Sequence, residues 1–289
     1  MSTQNILRKG LTVRTNEIGI YGKELFQVDF ESSVTKYKVP EGHAAIFWLG
    51  QAGFLIKLSS EKRIVIDPFM SDCVRRLEPD KGFGYKRLMA PVCLPEELKP
   101  DILLISHEHP DHYDIDAIDQ IVTSDTRVFT NGIVARSMID RGFSARQVNI
   151  LNKGSRIKFN DFTLRAVDCD HGALTPDALG FILDFVFGRL YFSGDTAFNP
   201  RRLRLPVSEH PEVAILPING AFGNMNGIEA ARYAGLLKCK ICIPCHFWTF
   251  PLHHGDPQQI IDHIGSEAPD CRLVMLRQGE PYLMGDERK

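Results

Sequence analysis

Ile102-Leu103-Leu104-Ile105-Ser106-His107-Glu108-His109-Pro110-Asp111-His112 joins four consecutive aliphatic residues to a run of three imidazoles and two carboxylates. The aliphatic part has the length of a buried strand, and the strand ends where the histidines begin. Loops held at the end of a rigid sheet are where functional side chains are positioned. His107 and His109 stand two apart, so an extended or turning backbone aims both at one ion. Asp111 and His112 are expected to start the following helix and face a second. Imidazole and carboxylate at this density suit zinc, manganese or iron. The alternative is a solvated loop rich in His and Asp, and crowding directly after a buried strand argues against it.

Working outward toward the N-terminus, apolar runs over 44–49, 54–58 and 63–66 are short strands broken by turn residues, and the third ends at Asp67-Pro68. Residues 71–100 hold Gly, Pro and charge without a period and are expected to be a loop or insertion. On the C-terminal side, Ile115, Ile118, Ile121 and Val122 recur at helical spacing from 114 to 122, then 127–130 is a strand and 132–141 a helix closed by Gly142.

The second half repeats the plan. A strand over 162–167 leads to His171. Two apolar strands over 180–185 and 190–195 form a hairpin that ends in Asp195, as the earlier hairpin ends in Asp67. Strands over 213–216 and 240–244, a helix over 227–237, and a final strand over 272–276 complete the series. Mixed strands with intervening helices, in two similar halves without a flexible linker, predict an α/β fold of two sheets packed face to face with helices outside. Residues 41–289 are read as one domain, and the polar residues 1–40 as a leader packed on it.

One segment cannot complete a metal site, and three other strand ends offer the remainder: His171, Asp195 in Ser193-Gly194-Asp195-Thr196, and His246 in Pro244-Cys245-His246. A carboxylate such as Asp195 can bridge two cations. Two metals roughly 3.5–4 Å apart would generate a hydroxide nucleophile and polarise a carbonyl or phosphoryl group. Taken singly, His171 and His246 are also readable as structural histidines. Their strand-end positions favour ligation.

The run from His107 to His112 resembles the HxHxDH signature of the metallo-β-lactamase superfamily, and the resemblance extends over about residues 43–276. Asp67, His171, Asp195 and His246 resemble its other motifs, in order. The resemblance implies an αββα sandwich with His107, His109 and His171 on one metal and Asp111, His112 and His246 on the other. It further implies that Asp195 bridges the two and that Asp67 orients a ligand. Trp48-Leu49-Gly50-Gln51-Ala52-Gly53-Phe54, Ser193-Gly194-Asp195, and Ile243-Pro244-Cys245-His246 followed by Asp256-Pro257-Gln258-Gln259-Ile260 are similar to the ascorbate-6-phosphate lactonase branch. That branch acts on a sugar-like lactone phosphate and is expected to use manganese, but its third motif lacks the histidine present here as His171.

The expected activity is therefore hydrolysis of a small lactone or ester by a metal-bound hydroxide, using two divalent ions, zinc or manganese, with Asp111 or a nearby acid managing protons. A phosphodiesterase or phospholipase D-like hydrolase of the same superfamily is the alternative, and a non-catalytic metal sensor is the alternative of another class. The redox branch normally appends a flavin domain, for which no residues remain. Arg201, Arg202 and Arg204 follow Asp195 and are candidates to hold an anionic substrate tail, with a solvated basic face as the competing reading. His253 and His254 are candidates to line the pocket. Asn219 and Asn226, in a glycine-rich stretch, read as turn formers. Cys239, Cys242 and Cys245 lack a nearby fourth cysteine and are read as structural.

The chain has 289 residues and a formal net charge of -2, and no basic tract interleaved with aromatics, so no nucleic-acid footprint is expected. No apolar run approaches the ~20 residues that cross a bilayer. Seven cysteines without a small-domain framework, and a polar N-terminus, point to a reducing cytoplasm. The expected partner is a small molecule, anionic if the arginines hold it. Oligomerisation stays open.

Overall fold

The computed structural model describes the backbone of residues 11–14 and 25–28 and the chain over 29–285. In chain order its strands are β1 (Leu11–Arg14), β2 (Leu25–Val28), β3 (His43–Gly50), β4 (Gly53–Leu58), β5 (Arg63–Ile66), β6 (Ile102–Ile105), β7 (Arg127–Thr130) and β8 (Val148–Ile150). They continue as β9 (Arg156–Lys158), β10 (Phe162–Asp168), β11 (Leu179–Phe185), β12 (Gly188–Phe192), β13 (Val213–Pro217), β14 (Ile241–Cys245), β15 (Arg272–Leu273) and β16 (Pro281–Gly285). The helices are α1 (Cys73–Leu77), α2 (Ile118–Ile121), α3 (Gly132–Asp140), α4 (Arg204–Glu209), α5 (Gly227–Leu237) and α6 (Pro257–Glu267).

Two seven-stranded mixed sheets form the body, ordered β16-β3-β4-β5-β6-β7-β8 and β15-β14-β13-β12-β11-β10-β9. The continuous apolar reading of the central strands follows from burial on both faces. Ala44, Ile46 and Trp48 of β3 point into the core shared by the sheets, and Ala45, Phe47 and Leu49 point into the outer layer. The same alternation sends Ile64 and Ile66 inward and Val65 outward. Across the interface, the Phe54 and Phe192 rings meet edge to face at 6.3 Å. Ile118 and Ile121 of α2 with Val134 and Met138 of α3 cover the first sheet, while Ala230, Ala234 and Leu237 of α5 with Ile260 and Ile264 of α6 belong to the core of the second. The layers run helix, sheet, sheet, helix, as expected from the sequence.

Several local expectations change. Asp111 and His112 do not start a helix. The backbone N–H groups of His112 and Tyr113 both donate to His109 O, at 2.9 and 2.8 Å, and close a turn. Asp114 then takes the Met70 and Ser71 N–H groups on Oδ2, at 2.8 and 2.7 Å, and helix begins only at Ile118. The last apolar run shortens to β15, and the final strand is β16, laid antiparallel beside β3. Helix α6 was not foreseen, although Asp256 caps it by accepting from Gln258 N at 3.0 Å with Pro257 in its first turn. Residues 71–100 carry α1 and two short 3-10 segments. Phe30, Val34 and Val39 are buried in the outer core of the first sheet. The side chains of 1–28 lie outside the described residues. Among the described residues, no helix is long and apolar enough to cross a membrane.

Candidate metal centre

Parallel pairing of β5 with β6, and of β12 with β13 and β14, brings the C-terminal ends of these strands to one end of the sandwich. Asp67 follows β5, the histidine run follows β6, Asp195 follows β12 and His246 follows β14. His171 follows β10, which enters the same end because β11 returns antiparallel beside it. The tight approach has a backbone cost: Gln51, Asp67 and His246 all adopt left-handed φ, at 50°, 43° and 59°. Such strain in non-glycine residues persists only where surrounding structure holds it. Gly194 is required as glycine, because at φ 65° any Cβ would stand 2.7 Å from Leu179 O.

Three groups of side chains converge there. His107, His109, His171 and Asp195 each offer one ligand atom within 4.8 Å of the others, and so do Asp111, His112 and His246; Asp67 with His107 and His112 forms the third and shares a residue with each. His107 Nε2 stands 3.0 Å from His109 Nδ1, which stands 3.3 Å from His171 Nε2. Asp195 joins the groups: Oδ1 lies 3.2 Å from His112 Nε2, and Oδ2 lies 3.3 Å from His246 Nε2 and 3.7 Å from His171 Nε2. His112 Nε2 and Asp195 Oδ1 are buried without a hydrogen-bond partner. Buried polar atoms are rarely left unpaired, and imidazole nitrogens crowding carboxylate oxygens in this way are the donor set a divalent cation satisfies. The residues fit a metal.

Asp67 is fully buried below this set. Its Oδ1 accepts Ser106 N at 2.7 Å, and its Oδ2 accepts the Ser106 hydroxyl and lies 2.7 Å from His112 Nδ1. A carboxylate on Nδ1 fixes His112 in the tautomer that presents Nε2 to the cavity.

Among the protein groups themselves, burial lowers the pKa of His107 and His171, favouring neutral rings. Burial acts the same way on His112, but Asp195, Asp111 and Asp67 outweigh it and hold this imidazole well above its usual range. His246 is likewise raised to about 9, against burial, by Asp195 and Asp111. Burial pulls Asp111 and Asp195 upward, and the facing imidazoles overcome it and keep both carboxyls well below their usual value. The centre is a lattice of opposite charge ready to exchange protons for cations.

Three contributors escaped the sequence reading. Gln51, taken as a turn residue, is buried, and its Nε2 donates to Asp111 Oδ2 at 2.7 Å. Its carbonyl accepts His246 N and Trp48 Nε1, both at 2.9 Å. Asn224 Nδ2 donates to Asp195 Oδ2 at 2.8 Å. Ser106 links Asp67 to the run. A polar side chain beside the strand-end turn Gly50-Gln51-Ala52-Gly53 was the available signal for Gln51. Of the two asparagines singled out, Asn226 caps α5 with Glu229 in a capping box, and Asn219 lines the cavity.

The cavity at the centre has a volume of 230 Å³ and reaches His109, Asp111, His171, Asp195 and His246. His253 lines it; His254 does not and is exposed. Arg201 is exposed outside it. Arg202 donates to Asp170 Oδ1 at 2.9 Å and so braces the loop before His171. Glu108, counted with the metal-rich run, instead accepts from Asn131 Nδ2 at 3.1 Å. Cys239, Cys242 and Cys245 are buried, and none joins a potential metal-holding group among the described residues.

Residues 45–246 match the beta-lactamase superfamily domain. A UPF0173 metal-dependent hydrolase of Methanosarcina mazei is 30% identical over 245 residues, covering 81% of this chain and 96% of that protein. The chain belongs to the UPF0173 metal-dependent hydrolase family. Solved structures agree on the fold of this UPF0173 member. A metallo hydrolase from the archaeon Ignicoccus hospitalis superposes with a TM-score of 0.67 at 21% identity, over 85% of this chain and 100% of that one. A possible metal-dependent hydrolase from Veillonella parvula gives 0.68 at 20% identity, over 84% and 99%. At these identities the likeness shows the metallo-β-lactamase fold alone.

Proposed function

We propose that this UPF0173 member is a metal-dependent hydrolase that cleaves a small lactone or ester. The observation that carries the reading is the junction at Asp195, whose two oxygens face His112 on one side and His246 and His171 on the other, with Oδ1 buried and making no hydrogen bond. His107, His109 and His171 would hold one divalent ion, Asp111, His112 and His246 a second, and Asp195 would serve both. When bound, such ions, zinc or manganese, would acidify water and polarise the substrate's carbonyl oxygen.

The remaining work falls to the chain. Asn224 fixes the Asp195 carboxylate through Oδ2, and Asp67 fixes His112 through Nδ1. Asp111, held as a carboxylate by its imidazole neighbours, would take a proton at Oδ2, the atom that Gln51 orients. The buried floor of the cavity limits competing water. The resemblance of the turn at 48–54 and of Ser193-Gly194-Asp195 to the ascorbate-6-phosphate lactonase branch supports a carbonyl ester over a phosphodiester. A catalytic centre is favoured over a sensor because the convergent set opens onto a cavity.

Elemental analysis of the purified protein, followed by a panel of lactones and phosphodiesters with added manganese or zinc, tests the proposal. Two equivalents of metal and lactone turnover that chelation abolishes are expected. Phosphodiester cleavage without lactone turnover would overturn the substrate class. Full metal content after His109→Ala and Asp195→Ala together would overturn the site.

A further inference from the structure

The cavity divides into two chemistries. Its floor is the His/Asp set. Its wall and mouth are Val74, Tyr85, Leu174, Phe222, Phe250 and His253. The aromatic part is a connected cluster: the His253 ring lies 5.1 Å from Phe222, 5.2 Å from Phe250 and 5.9 Å from Tyr85, and Tyr85 meets Phe250 edge-on at 5.7 Å. Phe222 and Leu174 remain 48% and 56% exposed, so the apolar wall continues outward where a ligand enters. Phe222 holds this position from a left-handed φ of 53°.

Charge is distributed against an anion. Among the described residues no Lys or Arg lines the cavity, and the one carboxylate outside the convergent set is Glu78, at the exposed end. Of the arginines that the sequence offered for an anionic tail, Arg202 is committed to Asp170 and Arg201 is exposed outside the cavity. A phosphate on this wall would lose water without gaining a partner and would face Glu78. An aromatic or aliphatic group gains from the same wall by burial. The volume of 230 Å³ lies below the ~300–1,000 Å³ of pockets for drug-sized ligands and suits a small molecule.

We infer that the substrate presents its scissile group to the His/Asp set and fills the rest of the cavity with an uncharged aromatic or aliphatic group, not with a phosphorylated tail. This deepens, and rests on, the hydrolase reading above. Asn219 Oδ1, a buried acceptor without a partner at the cavity, supplies one polar contact beside the apolar wall, for a hydroxyl or amide donor of the substrate.

The test compares a phenyl-substituted butyrolactone, its methyl counterpart and a phosphomethyl counterpart on the metal-loaded protein, with calorimetric binding of the uncleavable cyclic ethers of the same three shapes. The phenyl lactone is expected to have the lowest KM, at least about tenfold below the phosphomethyl one, and the ethers to bind in the same order. Phe222→Ala is expected to reduce the phenyl-over-methyl preference about tenfold in both readouts, and Glu78→Lys to shift preference toward the phosphomethyl compounds. A wild-type preference for the phosphomethyl compounds, or an unchanged phenyl-over-methyl ratio in folded Phe222→Ala, would overturn the inference. If no lactone is turned over, the hydrolase reading falls, and the order of ether binding still decides the character of the wall.

Discussion

Gln51 Nε2 donates to Asp111 Oδ2 across 2.7 Å, while the Gln51 carbonyl receives the His246 backbone N–H at 2.9 Å. One residue thus sets the side chain of one proposed ligand and the main chain of another. Trp48 stabilises the arrangement, since its indole N–H donates to the same carbonyl and its ring stacks on Phe247 at 5.0 Å.

Removing that amide takes from Asp111 Oδ2 its 2.7 Å donor, leaves it facing His246 Nε2 at 3.3 Å, and keeps the backbone contact to His246. Gln51→Ala is expected to weaken metal binding or activity about 10–100-fold, the range for groups that orient metal ligands. Metal titration by calorimetry and kcat on the best lactone measure it. Wild-type values in both would show that Gln51 only fills space.

Asp67→Asn is a near-isosteric change with a specific consequence. The asparagine oxygen can still accept Ser106 N, but its amide then points N–H groups at His112 Nδ1, which also carries hydrogen in the ligating tautomer. A loss of about 10–100-fold in metal affinity is expected, larger than any loss of thermal stability would explain. Metal content after dialysis, read beside the melting temperature, separates the two effects.

The sequence carried the parts of this fold that depend on short-range pattern. Strands β3 to β6 were readable because residues buried on both faces form nearly continuous apolar runs, interrupted in β4 by Lys57, and the histidine run was readable because ligands cluster after a strand. What escaped depends on long-range closure. Strand β16 exists because its main chain pairs with β3, and Pro281-Tyr282-Leu283-Met284 carries no signal of that partner. Gln51 showed in the sequence only as a polar residue in a strand-end turn, because its partner Asp111 lies 60 positions away and meets it only in the fold. The arginines after Asp195 failed as pocket residues for the converse reason: proximity in sequence to a ligand does not decide which way a side chain turns. Arg202 turns to Asp170.

Lys57 is buried, with Nζ 2.7 Å from Thr35 O, 2.8 Å from Tyr37 O and 2.8 Å from Glu61 Oε2, and so clamps the segment over 34–37 to β4. Hydrogen bonds from Lys57 and Lys38 depress the Glu61 carboxyl to about 2. The stabilisation from Glu61 is therefore present above the unfolded carboxyl range and is lost as pH falls toward 2. Glu61 is half exposed, so Glu61→Gln is expected to cost at most ~1 kcal/mol at neutral pH. The difference from wild type should shrink below the unfolded carboxyl range and vanish only below pH 2, as denaturation at a series of pH values will test. Lys57→Met, which takes the donor from three carbonyls, those of Val34, Thr35 and Tyr37, is expected to cost more, about 1.5–3 kcal/mol.

Two helical glycines predict opposite signs for the same substitution. A Cβ at Gly235 in α5 would collide with the Glu267 carbonyl oxygen at the end of α6, whereas a Cβ at Gly265 in α6 meets nothing within 4 Å. Gly265→Ala should stabilise by up to ~1 kcal/mol through backbone entropy alone. Gly235→Ala gains the same helix propensity but must part the two helices, and overpacking of this kind costs about 1–3 kcal/mol. Backbone against backbone has no rotamer through which to relax, so the steric cost outweighs the propensity gain. Melting temperatures moving a few degrees in opposite directions are expected. A stabilised Gly235→Ala protein would mean that α5 and α6 do not pack at this distance.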